Sequence, residues 1–103
     1  METYFIYMLL CTDSTYYIGI TNDLEQRILE HQEGLSRRSY TFRRRPVRVV
    51  WSEGFELRTD AFELERKLKG WSHAKKEAFV RGDWDSVTVL ARNRAGDRKG
   101  PAH

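Results

Sequence analysis

Apolar residues fall into short runs separated by polar punctuation, and the spacing within each run predicts the element. Residues 3–10 and 16–20 are aromatic and β-branched runs separated by Thr12-Asp13-Ser14-Thr15, a pattern that predicts a β-hairpin. Asn22 is placed to cap a following helix, Glu25 to close a capping box, and Asp23 to face the positive helix end. That helix is predicted to run to about Gln32 and to stop near Gly34. A polar, arginine-rich loop then leads to Pro46, and 47–51 reads as a short buried strand. Because a helix crosses between them, this strand is expected to lie parallel to one of the first two. Thr59-Asp60 opens a second helix through Gly70, with Phe62, Leu64, Leu68 and Trp71 available for packing, and Ser72 caps a third over 74–80. The sum is an α+β domain over 1–91, a small three-stranded mixed sheet flanked by helices. A polar tail with Gly96, Gly100 and Pro101 follows over 92–103 and is expected to be disordered.

Parity constrains the hairpin further. Side chains alternate faces along a strand, and paired residue numbers in a hairpin have a constant sum. Tyr7 and Tyr17 share a face only if that sum is even, which requires a loop of three or five residues, or a bulge. A two-residue Asp13-Ser14 turn would put them on opposite faces.

At 103 residues the chain has room for one modest core, and 40% apolar content is that of a globular domain. No run approaches the ~20 apolar residues of a membrane span. The start lacks a basic n-region, so a signal peptide is not expected. Cys11 is the only cysteine, which excludes an internal disulfide and a cysteine-rich zinc site. The expectation is a cytoplasmic protein with no membrane partner.

Net charge is only +3, but it is unevenly spread. Arg37, Arg38, Arg43, Arg44, Arg45 and Arg48 lie between Leu35 and Val50 with no acidic residue among them, and Lys67, Lys69, Lys75 and Lys76 follow. Guanidinium forks match phosphate geometry, so the clusters point to a nucleic acid, although a solvated basic surface has the same composition. Other chemistries find little support. Cys11, Ser14 and Ser36 sit in no recognisable nucleophile motif, His73 and His103 lack ligand partners at metal spacing, and there is no glycine-rich phosphate loop.

Five further residues are ordinary when read singly. Arg27 reads as an exposed helix arginine paired with Glu30 or Glu25. His31, four residues on, shares its helix face. Tyr7 and Tyr17 read as half-buried strand tyrosines. Glu65 and Glu63 are two apart on a helix, so they face different ways and only one can serve a given site.

Taken together, the order Phe5-Ile6-Tyr7, Tyr17-Ile18-Gly19, Arg27, His31 and Glu65 resembles the GIY-YIG nuclease family, from about Thr3 to Lys76. Within that family the chain is similar to the small stand-alone, UPF0213-like members. Phe5 stands where the first motif glycine would be, a mild change because a strand residue needs no positive φ. Ile20 is a second departure, since repair-excision relatives carry lysine just after the second motif glycine.

The resemblance implies a metal-dependent endonuclease. Glu65, with an aliphatic-lysine pair soon after it, would hold one Mg²⁺ or Mn²⁺ ion. A single carboxylate suffices for an ion that keeps several waters and uses phosphate oxygens as ligands. Arg27, ten residues after Tyr17, would brace the phosphate, Tyr7 would help ready the water, Tyr17 would position it, and His31 would shuttle a proton. Whether Tyr7 or His31 is the base stays open at this level. Tyr40 and Thr41 fall where relatives place a polar or aromatic residue near the site, and Tyr40 is carried as a candidate. Asn93 aligns too loosely with a late family asparagine to be assigned. DNA is the expected substrate, with RNA possible, and the basic loop 37–48 with Lys67, Lys69 and Lys75 would hold its backbone without reading bases. With no second recognition domain in sight, structure-selective or partner-directed cutting is expected over sequence-specific cutting. The alternative is a non-catalytic module that binds DNA or structured RNA through the same basic surface. A third reading is an interaction protein in which Trp51, Phe55 or Trp71 seats a protein partner or a second copy.

Overall fold

The computed structural model describes residues 2–82. Its elements run β1 (Tyr4–Leu10), β2 (Tyr16–Thr21), α1 (Leu24–Glu33), a 3₁₀ turn (Phe42–Arg44), β3 (Arg48–Phe55), α2 (Arg58–Lys69) and α3 (His73–Arg81). The described residues fall into two units divided after Gly70. The tail expected over 92–103 lies outside the described residues.

The three strands form one sheet in the order β2-β1-β3. It is antiparallel throughout, which corrects the mixed sheet expected from sequence. The helical crossover does return β3 in the direction of β2. However, β3 lands on the far side of β1, and β1 runs opposite to both, so every hydrogen-bonded pair is antiparallel. β3 is also longer than the predicted 47–51. It follows β1 from Tyr4↔Phe55 to Leu10↔Arg48, with a register shift between Met8 and Leu9. Its polar Ser52-Glu53-Gly54 stretch is compatible with an edge strand, where one side stays in water.

The hairpin register has a constant sum of 26, from Phe5↔Thr21 to Leu10↔Tyr16, and residues 11–15 form a five-residue loop. This is the even parity that puts Tyr7 and Tyr17 on one face. Asp13 stabilises the loop by accepting hydrogen bonds from the Thr15 backbone N–H and hydroxyl, while Ser14 takes a left-handed φ of 68°.

As the central strand, β1 is buried on both faces, and Ile6, Tyr7, Met8 and Leu9 are each fully enclosed. Continuous burial follows from having a strand on each side and cover above and below. Tyr7, Leu9, Cys11 and Val47 form one cluster, against which Tyr17 and Leu24 pack. By alternation Ile6, Met8 and Ile18 belong to the other face.

Helix α1 is capped by Asp23, not Asn22. The Asp23 carboxylate accepts the Gln26 N–H, whereas the Asn22 amide is turned to the carboxylate of Glu2. Gly34 ends the helix in the left-handed conformation at φ 67°. Helix α2 contacts all three strands and buries Ala61 and Leu68. Phe62, expected to pack, is instead exposed, because it lies off the line that joins those two residues. In the second unit the Ser72 hydroxyl accepts the Lys75 N–H and starts α3 as predicted, and Trp71 meets Phe79 edge-on at 5.4 Å. No described helix is long and apolar enough to cross a membrane.

Candidate active site

The hairpin register positions the two tyrosines. Tyr7 lies opposite Gly19 and Tyr17 opposite Leu9, so the tyrosines are diagonal neighbours with ring centroids 6.2 Å apart. A Cβ at Gly19 would sit 2.3 Å from Tyr7 Oη, so only glycine lets the Tyr7 ring lie across β2. Sequence reading did not assign Gly19 this role, although a glycine paired with an aromatic residue was the available signal.

Helix α1 presents the next two groups, one turn apart. His31 Nε2 and Tyr7 Oη are hydrogen-bonded at 2.9 Å, and His31 Nδ1 and Thr41 Oγ1 at 2.7 Å. Thr41 in turn meets Ser39 Oγ at 3.0 Å. His31 is 8% exposed and Thr41 1%, so this histidine is an interior group with both ring nitrogens engaged. Thr41 is the partner whose specific role sequence reading missed. It sits ten residues away in a loop, beyond the reach of helical periodicity.

Electrostatics separate the roles of this pair. Burial pushes the Tyr7 phenol well above the usual tyrosine range. Neighbouring Tyr17 adds to the effect, and the Arg27 guanidinium opposes it. Burial holds the His31 imidazole below its ordinary value, the Arg27 charge lowers it further, and Glu30 opposes. At neutral pH, Tyr7 is therefore a phenol and His31 a neutral imidazole.

Arg27 forms the ion pair with Glu30 that its spacing allowed, at 3.2 Å, and its side chain remains 44% exposed. It also lines a cleft of about 510 Å³ together with Tyr17, His31, Arg38 and Ser39. A smaller cleft of about 220 Å³ adjoins at the same arginine, and its other walls include Ile20, Arg58 and Phe62. Tyr40 stacks on Tyr17 at 6.0 Å with the planes 24° apart, which brings this candidate to the rim of the site.

The basic residues divide into two groups. Arg37, Arg38, Arg43 and Arg48 are exposed, as are Lys67 and Lys69. Arg44 is instead committed to the loop: its guanidinium lies 3.8 Å over the Tyr40 ring, pairs with Asp13 at 3.0 Å and donates to the Tyr40 carbonyl at 2.7 Å. Arg45 lies over Phe42, donates to the Phe42 carbonyl at 2.9 Å, and fills the space a side chain at Gly34 would need. Lys75 is buried, with its ammonium 4.0 Å over the Trp71 ring. Among the basic residues expected to meet a nucleic acid, Arg44, Arg45 and Lys75 direct their charges to partners within the fold. Trp51, Phe55 and Trp71 are half-buried, not an exposed face, whereas Leu35 and Leu57 are the most exposed large apolar side chains among the described residues.

Glu65 lies on α2 four residues after buried Ala61 and three before buried Leu68, so it borders the inward stripe, whereas Glu63 is exposed. Its carboxylate pairs with Lys69 at 3.1 Å, and its side chain is only 13% exposed. Among the described residues it makes no hydrogen bond to Tyr7, Tyr17, Arg27 or His31, which are brought together without it. Phe62, one turn before it, shares the smaller cleft with Arg27. No group of three His, Cys, Asp or Glu residues that could hold a metal occurs among the described residues. A lone, partly enclosed carboxylate whose partner is an exposed lysine still fits a hard divalent cation that retains most of its waters.

A central antiparallel sheet thus carries a Tyr–Tyr–His–Arg cluster on one face, with a glutamate on the helix that follows, in an α+β domain. The chain belongs to the GIY-YIG family: residues 3–78 match the GIY-YIG catalytic domain, a domain of nucleases. It is 42% identical over 82 residues to a UPF0213 protein of Bacillus velezensis, covering 78% of this chain and 82% of that one. It is 36% identical to the UPF0213 protein YazA of Bacillus subtilis, covering 90% and 98%. The solution structure of the UPF0213 protein BH0048 from Bacillus halodurans superposes with a TM-score of 0.52 at 33% identity, covering 85% of this chain and 96% of that one. The protein EF2693 from E. faecalis gives 0.56 at 32% identity, covering 80% and 90%.

Proposed function

We propose that the protein is a cytoplasmic, metal-dependent endonuclease that hydrolyses DNA phosphodiester bonds, selecting its target by structure or through a partner. The observation that carries this reading is the hydrogen-bonded run from Tyr7 through His31 to Thr41, set beside Arg27 at the wall of a cleft. Such a group is costly to bury for stability alone, since hydroxyls and an imidazole contribute less than apolar side chains of the same size.

Arg27 braces a non-bridging phosphate oxygen, and its Glu30 partner is exposed enough to yield to it. Tyr17, which lines the same cleft, orients the attacking water. Tyr7 stays protonated and is fully enclosed in the free protein, so it would relay only once the bound substrate opens its hydroxyl to the water. It then donates to Nε2 of the neutral imidazole as it receives the proton of the water. His31 is thus the acceptor, and its Nδ1–H donates to Thr41. Glu65 would hold the divalent ion, which when bound supplies Lewis acidity at the phosphate. Exposed Arg37, Arg38 and Arg43 hold the backbone of the strand.

The same exposed arginines also support the second reading, a binding module without turnover. Nicking of plasmid and branched DNA with Mg²⁺ or Mn²⁺ separates the two, using the wild type beside Glu65→Ala and Arg27→Ala. Cutting that needs the ion and is lost in both variants is expected. Salt-sensitive binding with no cutting by the wild type on any substrate would establish the binding module instead.

A further inference from the structure

We infer that the smaller cleft, between the end of β2 and the start of α2, is a second phosphate subsite in which Arg58 takes the phosphate next to the one held by Arg27. This rests on the nucleic-acid reading above and extends it to a residue outside the motif. The cleft is about 220 Å³, and no acidic side chain is among its lining residues. Arg27 is common to both clefts, so a strand crossing from one to the other passes over it.

Arg58 has no ion-pair partner among the described residues. Its guanidinium lies 5.2 Å over the Phe62 ring, and the residue is exposed, so its N–H groups are open to an oxyanion. Ile20, also in the lining, supplies no charge, so the cation that accompanies Arg27 in this cleft comes from α2. Two donors at the mouth, Tyr4 Oη and Asn22 Nδ2, are both turned to the carboxylate of Glu2. An anionic oxygen already satisfies these donors, and a phosphate would compete with Glu2 for them.

The test is fluorescence anisotropy of a labelled branched DNA oligonucleotide, without metal, across a salt series. Arg58→Gln is expected to weaken binding about fivefold to tenfold and to reduce the salt slope by about one ion. Ile20→Lys in the Arg58→Gln background should restore most of the loss, because it returns a cation to the lining of the same cleft. Glu2→Gln in the wild-type background should tighten binding by removing the competing carboxylate. Arg58→Gln binding as tightly as the wild type with an unchanged slope would overturn the subsite alone. A wild type that binds no DNA at low salt would overturn the nucleic-acid reading and the subsite with it.

Discussion

The two clefts that meet at Arg27 are built on opposite principles. On one side Tyr7, His31 and Thr41 are buried and bonded to one another, and that side is complete when the chain folds. On the other side Arg58 is exposed and has no ion-pair partner among the described residues, and Glu65, farther along α2, is partly enclosed but pairs with exposed Lys69. Buried polar groups must be satisfied by the protein itself, so they are organised by folding. Exposed charges are satisfied by water and stay free to exchange partners. Substitutions on the first side should therefore cost stability and activity together, and those on the second should cost activity alone.

The sharpest separation is expected at Glu65. Glu65→Gln should lower metal-dependent cutting on the order of 10³-fold, since a lost cation ligand removes several kcal/mol of transition-state stabilisation. Its thermal midpoint should move little, because glutamine keeps the shape of the partly enclosed side chain and the lysine that loses its partner is exposed to water. Parallel nicking assays and melting curves check this, and a large drop in midpoint would break the contrast.

Gly19→Ala probes the first side through packing. The added Cβ would overlap Tyr7 Oη at 2.3 Å, so the ring must leave its place across β2. Overpacking of this kind costs about 1–3 kcal/mol, read from urea denaturation, and cutting should fall with it. A variant as stable as the wild type would show that the ring has another resting place.

Thr41→Val is gentler, because shape is kept and only the hydroxyl is lost. His31 Nδ1 is then left without its partner, at about 1–3 kcal/mol. The rate at saturating DNA should fall while Thr41→Ser retains it, and equal rates in the two variants would remove Thr41 from the relay.

The smallest effect is that of pH. His31 has a folded pKa below its unfolded value near ~6.5, so over that interval the unfolded chain binds more protons. Its contribution to stability is therefore complete above ~6.5 and is lost as pH falls through the folded pKa. The wild type should lose stability on acidification through that range more steeply than His31→Gln, and its cutting rate should decline on the same limb. Identical stability profiles from pH 7 to 5 would show that His31 is not buried as a neutral ring.

Much of this contrast was legible beforehand, but unequally. The five-residue hairpin loop followed from parity once the tyrosines were taken to share a face, and the placing of Arg27 and His31 on one helix face followed from their spacing. The choice of Glu65 over Glu63 is supported by the stripe between Ala61 and Leu68. The arginine cluster was the least legible part. Arg43 and Arg44 are adjacent in sequence, yet one is exposed and the other is clamped between Tyr40 and Asp13. Composition cannot distinguish them, since the partner that commits Arg44 lies thirty-one residues away.

What the sequence determined by itself is what contiguous residues encode. The alternating runs specified the strands, Gly34 and Ser72 punctuated the helices, and the even hairpin sum was required once both tyrosines shared a face. Tertiary structure alone decided that β3 pairs with β1, that Gly19 lies under Tyr7, that Thr41 closes the run from His31, and which cations remain free. Periodicity and capping act within a few residues. Strand order and side-chain pairing depend on where distant segments meet, and burial fixes that only when the whole core assembles.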